Sequence, residues 1–329
     1  MNSMDGPDPH TVPIFVLGIM QRSGTGYLYN LLRLHPACRA GGVIWEDGLV
    51  AHADLLARYA ETVYENWPAD WEVREIMGPP DALCARLGEG LISFLNSQVT
   101  RKERGRGEST DHAEEGSSQR LVTKTPSVEN LALFFRLFPR AHLLIIVRDG
   151  RAVVESGVRS FSWRYESAMH SWAAAAQTIR QFDSSTDRSR HRCLIVRYED
   201  LFRSTEDEMR KVFSFLGLNA GVYDFGAAAK LPVRGSSESR ERGQGDVHWG
   251  AEEQGPDFDP TRRWSEWGRG LHERFNWIAG DLLEQFGYEK RTYTGNRLFW
   301  AAWNVVLDAK WGLKRAMRRG VKRVLRVVR

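Results

Sequence analysis

The stretch from Val12 to Pro36, V-P-I-F-V-L-G-I-M-Q-R-S-G-T-G-Y-L-Y-N-L-L-R-L-H-P, constrains this chain more than any other. Ile14 to Leu17 form a short apolar run with β-branched and aromatic members, the pattern of a buried parallel strand. Gly18 to Gly24 interrupt it, and Gly24 and Gly26 are expected to permit positive φ and a close approach of the backbone to a ligand. From Thr25, residues Tyr27, Leu28, Leu31, Leu32 and Leu34 recur at helical spacing until Pro36 stops the helix near His35. Such a strand, loop and helix aim backbone N–H groups at one spot, at the positive end of a helix dipole. That is an anion site, with phosphate its usual guest. Arg22 adds a planar fork of donors, and Ser23 and Thr25 add hydroxyls. The plainer reading is a strand-turn-helix whose glycines serve only the turn.

The loop is not a Walker A motif. Five residues separate Gly18 from Gly24 where that motif has four, and Thr25 stands where it has Lys. The anion is therefore expected to be held without a P-loop lysine and without magnesium, and no metal ligands are expected.

At 329 residues the chain is long enough for one large α/β domain or two smaller ones. Its 42% hydrophobic and 27% charged content fits a soluble globular protein. Cys38, Cys84 and Cys193 lie far apart without metal spacing, which argues for a reducing compartment. The first residues lack the regions of a signal peptide, and no apolar run reaches membrane-spanning length. These features predict a cytoplasmic location.

A second strand is expected around Val43 to Trp45, followed by Glu46 and Asp47. Helical periodicity covers Leu49 to Asn66 and Pro80 to Val99, with Trp67, Pro68 and Trp71 between them; Arg101 to Gln119 reads as a surface loop. Arg120 to Thr125 is a strand carrying Lys124 near its end, and Ser127 can cap a helix through Phe138. Ala141 to Val147 is the most strand-like run, and Arg148-Asp149-Gly150-Arg151 opens the next helix, with Asp149 and Arg151 bracing the turn. This places a second basic cluster at the C-terminal end of a parallel strand, where open α/β sheets bind ligands. A helix over Ser162 to Phe182, a strand at Cys193 to Val196 and a helix at Thr205 to Leu216 follow. The fold class is α/β, a single domain with a central parallel sheet flanked by helices.

R-S-G-T at Arg22 to Thr25, after an apolar strand and before a helix ending in His35-Pro36, resembles the 5′-phosphosulfate loop of the sulfotransferases that use PAPS, 3′-phosphoadenosine 5′-phosphosulfate. I-I-V-R-D-G-R-A-V-V-E-S at Ile145 to Ser156 resembles that family's 3′-phosphate motif, an Arg followed eight residues later by Ser. The order and separation of the two also fit. With the Tyr198-Glu199-Asp200-Leu201 segment and the closing stretch Trp264 to Tyr288, the resemblance spans roughly Val12 to Tyr288. It implies the P-loop-like sulfotransferase fold over residues 12–290, in the carbohydrate/protein-type bacterial branch, with PAPS as co-substrate.

Carried over residue by residue, the resemblance implies that Arg22, Ser23, Gly24, Thr25, Gly26 and Tyr27 surround the 5′-phosphosulfate. Arg148 and Ser156 would hold the 3′-phosphate, and Tyr198 would lie near the nucleotide. Arg234, Gly235, Ser236 and Ser237 would belong to a loop closing over it, with His248 and Trp249 looking toward the acceptor. Lys124 and Arg22 would act on the leaving oxygen, and Glu46 would be the base. Two departures stand out. Gly26 occupies a position where many members have a second Thr, and the expected position of the base falls on Gly42 and Val43. Glu46 is therefore a shifted base, with Asp47 next in line; the alternative is that both cap the following helix.

Asn296 to Arg329 carries an apolar stripe that includes Trp300, Trp303 and Trp311. From Asp308 onward there are nine Lys or Arg and one Asp, a formal +8 that leaves the rest of the chain at −4. A basic amphipathic helix with tryptophans suggests peripheral contact with a membrane at its inner face; a helix packed on the domain with a solvated basic face is the alternative. The expected acceptor is a small-molecule, glycan or lipid-linked hydroxyl or amine, and nucleic acid is not expected. Two other functions compete. A P-loop nucleotide kinase lacks its lysine here, and a non-enzymatic binder of anionic lipid or nucleic acid would work through the tail.

Overall fold

The computed structural model describes residues 12–40, 44, 46–68, 72–105, 119–185, 191–231 and 259–327. Among the described residues, five strands form one sheet: β1 (Ile14–Gly18), β2 (Cys38–Ala40), β3 (Arg120–Thr125), β4 (His142–Val147) and β5 (Cys193–Arg197), in the order β2-β3-β1-β4-β5, all parallel. β1 and β3 are buried along their whole length, as runs rich in branched and aromatic residues must be when both sheet faces are covered.

Alternation along β1 divides the core into two layers. Ile14 and Val16 pack with Leu28, Leu31 and Leu32 of α1 (Thr25–Arg33) and with the buried faces of two later helices, α8 (Tyr198–Arg203) and α9 (Thr205–Leu216). Phe15 points the other way, onto Phe134 and Phe138 at ring-centroid distances of 5.2 and 4.6 Å. The remaining helices of the larger unit are α2 (Ala53–Asn66), α3 (Val73–Met77), α4 (Pro80–Gly105), α5 (Phe134–Leu137), α6 (Gly150–Phe161), α7 (Tyr165–Asp183) and α10 (Phe225–Ala229).

The chain leaves β1 toward β2 on one side of the sheet and leaves β4 toward β5 on the other. The crevice where open α/β sheets take ligands therefore lies between the C-terminal ends of β1 and β4.

Several local expectations are corrected. The second strand is Cys38–Ala40; Ile44 lies outside any strand, and Val43 and Trp45 are not among the described residues. No helix runs from Ser127 to Phe138. The Ser127 hydroxyl accepts from the Glu129 amide at 3.1 Å in a local turn, and only a 3-10 turn at Leu131–Leu133 and the short α5 follow. The helix expected to end at Val99 continues to Gly105. Ser162 takes φ 55 and caps the end of α6, so α7 begins three residues later.

The chain divides into two compact units, Met1–Arg263 and Trp264–Arg329. The second holds α11 (Arg269–Gln285), which the 12–290 assignment grouped with the first, together with α12 (Arg297–Val327). Buried Arg274 of α11 donates to Asn304 and, at 2.7 Å, to Asp308 Oδ1; Trp277 Nε1 donates to Asp308 Oδ2 at 2.8 Å.

At the N-terminal edge of the sheet, Arg120 is buried and, among the described residues, has no carboxylate among its hydrogen-bond acceptors. It donates to Val12 O at 2.7 Å, Leu216 O at 2.6 Å and His142 Nδ1 at 2.8 Å. Because guanidinium can only donate, His142 Nδ1 must be the accepting nitrogen. Burial first, and the Arg120 charge second, pull His142 from 6.5 to about 4. Its folded-state value is thus below its unfolded one, and protonation opposes folding. Stability should be complete above about pH 6.5 and fall as the pH drops toward 4. At 1.36 kcal/mol per pH unit, discounted because the imidazole is partly open to solvent, the loss is on the order of 2–3 kcal/mol. Urea unfolding at pH 7.5 and 4.5 measures it, and His142→Gln, which keeps an acceptor for Arg120, should remove that part of the pH dependence. An unchanged pH dependence in the variant would refute the assignment.

Candidate anion site at the sheet switch point

The loop after β1 is built as an anion cradle. Arg22 takes φ 71 and Gly24 φ 97, so the left-handed turn falls on these two residues and not on Gly26, which lies inside α1 with open space beside it. At Gly24 a Cβ would collide with the ring of Tyr198, which is the reason for glycine there. Gly24 caps α1 without a side-chain hydrogen bond, and the first turn of α1 holds no acid, so nothing in that turn competes with an outside anion. The Ser23 hydroxyl is fully buried and has no hydrogen-bond partner among the described residues. A buried hydroxyl without a partner costs roughly 1–3 kcal/mol, and an anion oxygen in the cradle would satisfy it.

The loop after β4 meets this cradle from the neighbouring strand. Arg148, nearly fully buried, donates through Nη1 to Arg22 O at 2.6 Å and through Nη2 to Pro260 O. Its guanidinium carbon lies 4.5 Å from the centre of the Tyr198 ring, a cation–π geometry, and its Nε has no hydrogen-bond partner among the described residues. Ser156, one helical stretch further along α6, accepts from Arg22 Nε at 2.9 Å. Arg22 thus joins the two predicted half-sites: its carbonyl meets Arg148 and its guanidinium meets Ser156. Burial first, then the charges of Arg148 and Arg263, draw Arg22 down from 12.5 to about 10. Three guanidiniums gathered this closely form a positive field that an anion relieves.

The turn carrying Arg148 is braced as expected. Asp149 accepts from the Arg151 amide at 2.8 Å and from its guanidinium at 3.0 and 2.7 Å. Glu199, behind Tyr198 on α8, accepts from the Asp149 amide at 3.0 Å. Tyr27 turns its hydroxyl to Thr205 Oγ1 at 3.1 Å, with its ring edge-on to Tyr198 at 6.3 Å.

On the other side of β1, Lys124 pairs in register with Val16 and is largely buried. Its Nζ lies 3.1 Å from Glu46 Oε1, and the Glu46 side chain remains 43% exposed. The neighbouring acid has a different task. Asp47 accepts from Thr123 Oγ1 at 2.5 Å and from the Leu49 amide at 2.8 Å, while its own amide donates to Lys124 O at 3.2 Å and Gly48 N donates to Thr125 Oγ1 at 3.1 Å. Asp47 therefore clamps the segment to β3 and starts the turn at Leu49, and its carboxyl is pushed up by burial. Of the two acids, Glu46 is the one brought to the lysine and left open to solvent.

Ser236 and Ser237, with Arg234, Gly235, His248 and Trp249, lie outside the described residues. Sequence reading missed Arg263, Pro260 and Glu199 as members of the cluster. Arg262-Arg263 before Trp264 was the available signal, but only the packing of Pro260 against Arg148 shows that this segment returns to the site.

Buried guanidiniums gathered at the switch point of a parallel five-stranded sheet, with a lysine from a third strand beside them, define an α/β protein with a candidate anion site. A model of the sulfotransferase family matches residues 13–221, and the chain belongs to that family. It is similar to a protein-tyrosine sulfotransferase of Drosophila melanogaster, 33% identical over 213 residues covering 62% of this chain and 38% of the relative. It is also similar to protein-tyrosine sulfotransferase A of Caenorhabditis elegans, 27% identical over 217 residues covering 63% of this chain and 50% of the relative. The chain spans about half the length of the curated relatives it matches. Among solved structures, the sulfotransferase domain of the Synechococcus PCC 7002 olefin synthase aligns over 86% of this chain and 98% of its own, at 22% identity and a TM-score of 0.48.

Proposed function

We propose that the protein transfers a sulfuryl group from PAPS to an acceptor hydroxyl by in-line displacement. The observation that carries this reading is the convergence of Arg22, Arg148 and Ser156 at one end of β1 and β4, with the Lys124–Glu46 pair beside it. In this reading the loop after β1, with Ser23 and Arg22, receives the phosphosulfate oxygens, and Arg148 and Ser156 receive the 3′-phosphate. Glu46 takes the acceptor proton as the new S–O bond forms. Lys124 and Arg22 hold the negative charge that grows on the phosphate oxygen as the old S–O bond breaks. Metal is not needed for this charge balance in the proposal. A nucleotide kinase would place a lysine in the first loop, and Thr25 is there instead.

Calorimetry with 3′,5′-ADP and 5′-AMP tests the nucleotide assignment. A charge-assisted hydrogen bond contributes roughly 1.5–3 kcal/mol, about 10- to 150-fold in affinity. We expect 3′,5′-ADP to bind at least tenfold more tightly, and Arg148→Ala to remove most of the difference. Equal affinities in the unaltered protein would end the assignment. The relatives named as protein-tyrosine sulfotransferases make a tyrosine peptide one acceptor to assay with labelled PAPS, beside glycan, lipid-linked and small-molecule hydroxyls. Transfer to any of them supports the proposal; phosphoryl transfer from ATP without sulfuryl transfer from PAPS overturns it.

A further inference from the structure

Among the described residues, α12 turns one mostly polar face toward α11 and carries a second, apolar face on its other side. Trp300, Asn304 and Asp308, spaced by four residues, turn toward α11: Trp300 lies against Gly270 and Arg269, and Asn304 and Asp308 take the hydrogen bonds of Arg274. Val306 is two residues, roughly 200° of helical turn, from Asn304. On its side lie Phe299, Trp303, Leu313 and Met317 at helical spacing, with Leu298 at the end, and all are exposed. Leu298 is 87% exposed, Leu313 65% and Met317 61%. Seven of the thirteen exposed large hydrophobic side chains among the described residues belong to this one helix. Large apolar side chains exposed along one side of a helix mark an interaction surface.

Charge selects the occupant. Lys310 lies within the strip, its Nζ 5.8 Å from the centre of the Trp303 ring, and Lys314 follows exposed on its flank. The sequence from Asp308 onward has a formal charge of +8. A second copy of this chain would bring one such strongly basic helix against another, which like-charge repulsion opposes. An anionic bilayer matches both features, apolar strip to acyl boundary and basic residues to headgroups. No described helix is long and apolar enough to cross a membrane. The helix runs for 31 residues, about 46 Å, enough to lie along the surface.

We propose that the outward face of α12 docks on an anionic lipid bilayer. This inference stands apart from the sulfuryl-transfer reading. Co-sedimentation of the full chain with vesicles of phosphatidylcholine alone, or with about a third phosphatidylserine, tests it across a salt series. Binding should require the anionic lipid and weaken at least tenfold as salt shortens the screening length below about 8 Å. Val306→Ser with Leu313→Ser should lose at least tenfold in binding without loss of helical signal, because both positions are exposed. Brominated acyl chains should quench tryptophan fluorescence, and Trp303→Phe should lower that quenching. Arg148→Ala should bind vesicles as the unaltered chain does, which separates this test from the nucleotide assignment. Protein that stays in the supernatant with anionic vesicles at low salt overturns the proposal. So does a concentration-dependent dimer, seen by sedimentation without vesicles and abolished by the same serine pair.

Discussion

Replacing Lys124 with alanine is expected to lower turnover by about two to three orders of magnitude while changing 3′,5′-ADP affinity far less. The physical reason is where its charge matters. Lys124 reaches the site from β3 and is paired with Glu46 at 3.1 Å, whereas the groups proposed to meet the phosphates stand on the loops after β1 and β4 and on α6. A charge that acts on the oxygen departing from sulfur is used most in the transition state, so its removal should lower kcat and kcat/KM together. Losing one such stabilising group costs about 10²- to 10³-fold. Glu46→Gln should show a comparable fall if Glu46 takes the acceptor proton. Asp47→Asn should instead act mainly through stability, since the Asp47 carboxylate already serves Thr123 and Leu49. Steady-state kinetics with labelled PAPS, beside calorimetry on the product nucleotide, separate these outcomes. Wild-type turnover in Lys124→Ala, or loss of nucleotide binding equal to the loss of turnover, would remove Lys124 from the reaction.

The second large effect is expected at Gly24. Gly24→Ala should destabilise the protein by about 2–6 kcal/mol and abolish measurable nucleotide binding, whereas Gly26→Ala should leave stability unchanged or slightly raised. At Gly24 the φ of 97 is strained for any L side chain, a cost of about 1–3 kcal/mol. A Cβ would also collide with the Tyr198 ring, which is buried and stacked beside Arg148. Overpacking adds about 1–3 kcal/mol and pushes Tyr198 against the guanidinium. Gly26 sits in the first turn of α1, and nothing lies within 4 Å of where its Cβ would stand, so alanine there gains helix propensity without a clash. Thermal unfolding of the two variants side by side gives the result; equal effects would show that the glycines serve only flexibility.

This pair of glycines shows what local sequence can and cannot carry. Both look alike in R-S-G-T-G, and conformational freedom is attributed to each by the same reasoning. The structure assigns the special backbone to Arg22 and Gly24, because Tyr198, 174 positions further along the numbering, occupies the space beside Gly24. The same holds for the two acids after β2. The sequence ranks Glu46 ahead of Asp47 as the base but leaves capping as the alternative for both, and the hydroxyls of Thr123 and Thr125 on β3 separate a clamp from an open carboxylate.

By itself the sequence located the strands β1, β3, β4 and β5; the apolar runs of β1 and β4 are covered on both faces, whereas β5, at the sheet edge, is only partly buried. It also determined the two basic loops and α9, whose stripe and acidic first turn are local properties. Tertiary structure alone decided the strand order that brings the loops after β1 and β4 together. It also decided the return of Pro260 and Arg263 to Arg148 and Arg22, and the division of labour between the two faces of α12. Each of these depends on which distant surfaces meet, and the meeting is selected by packing and charge across the whole fold, for which no local period in the chain is a record.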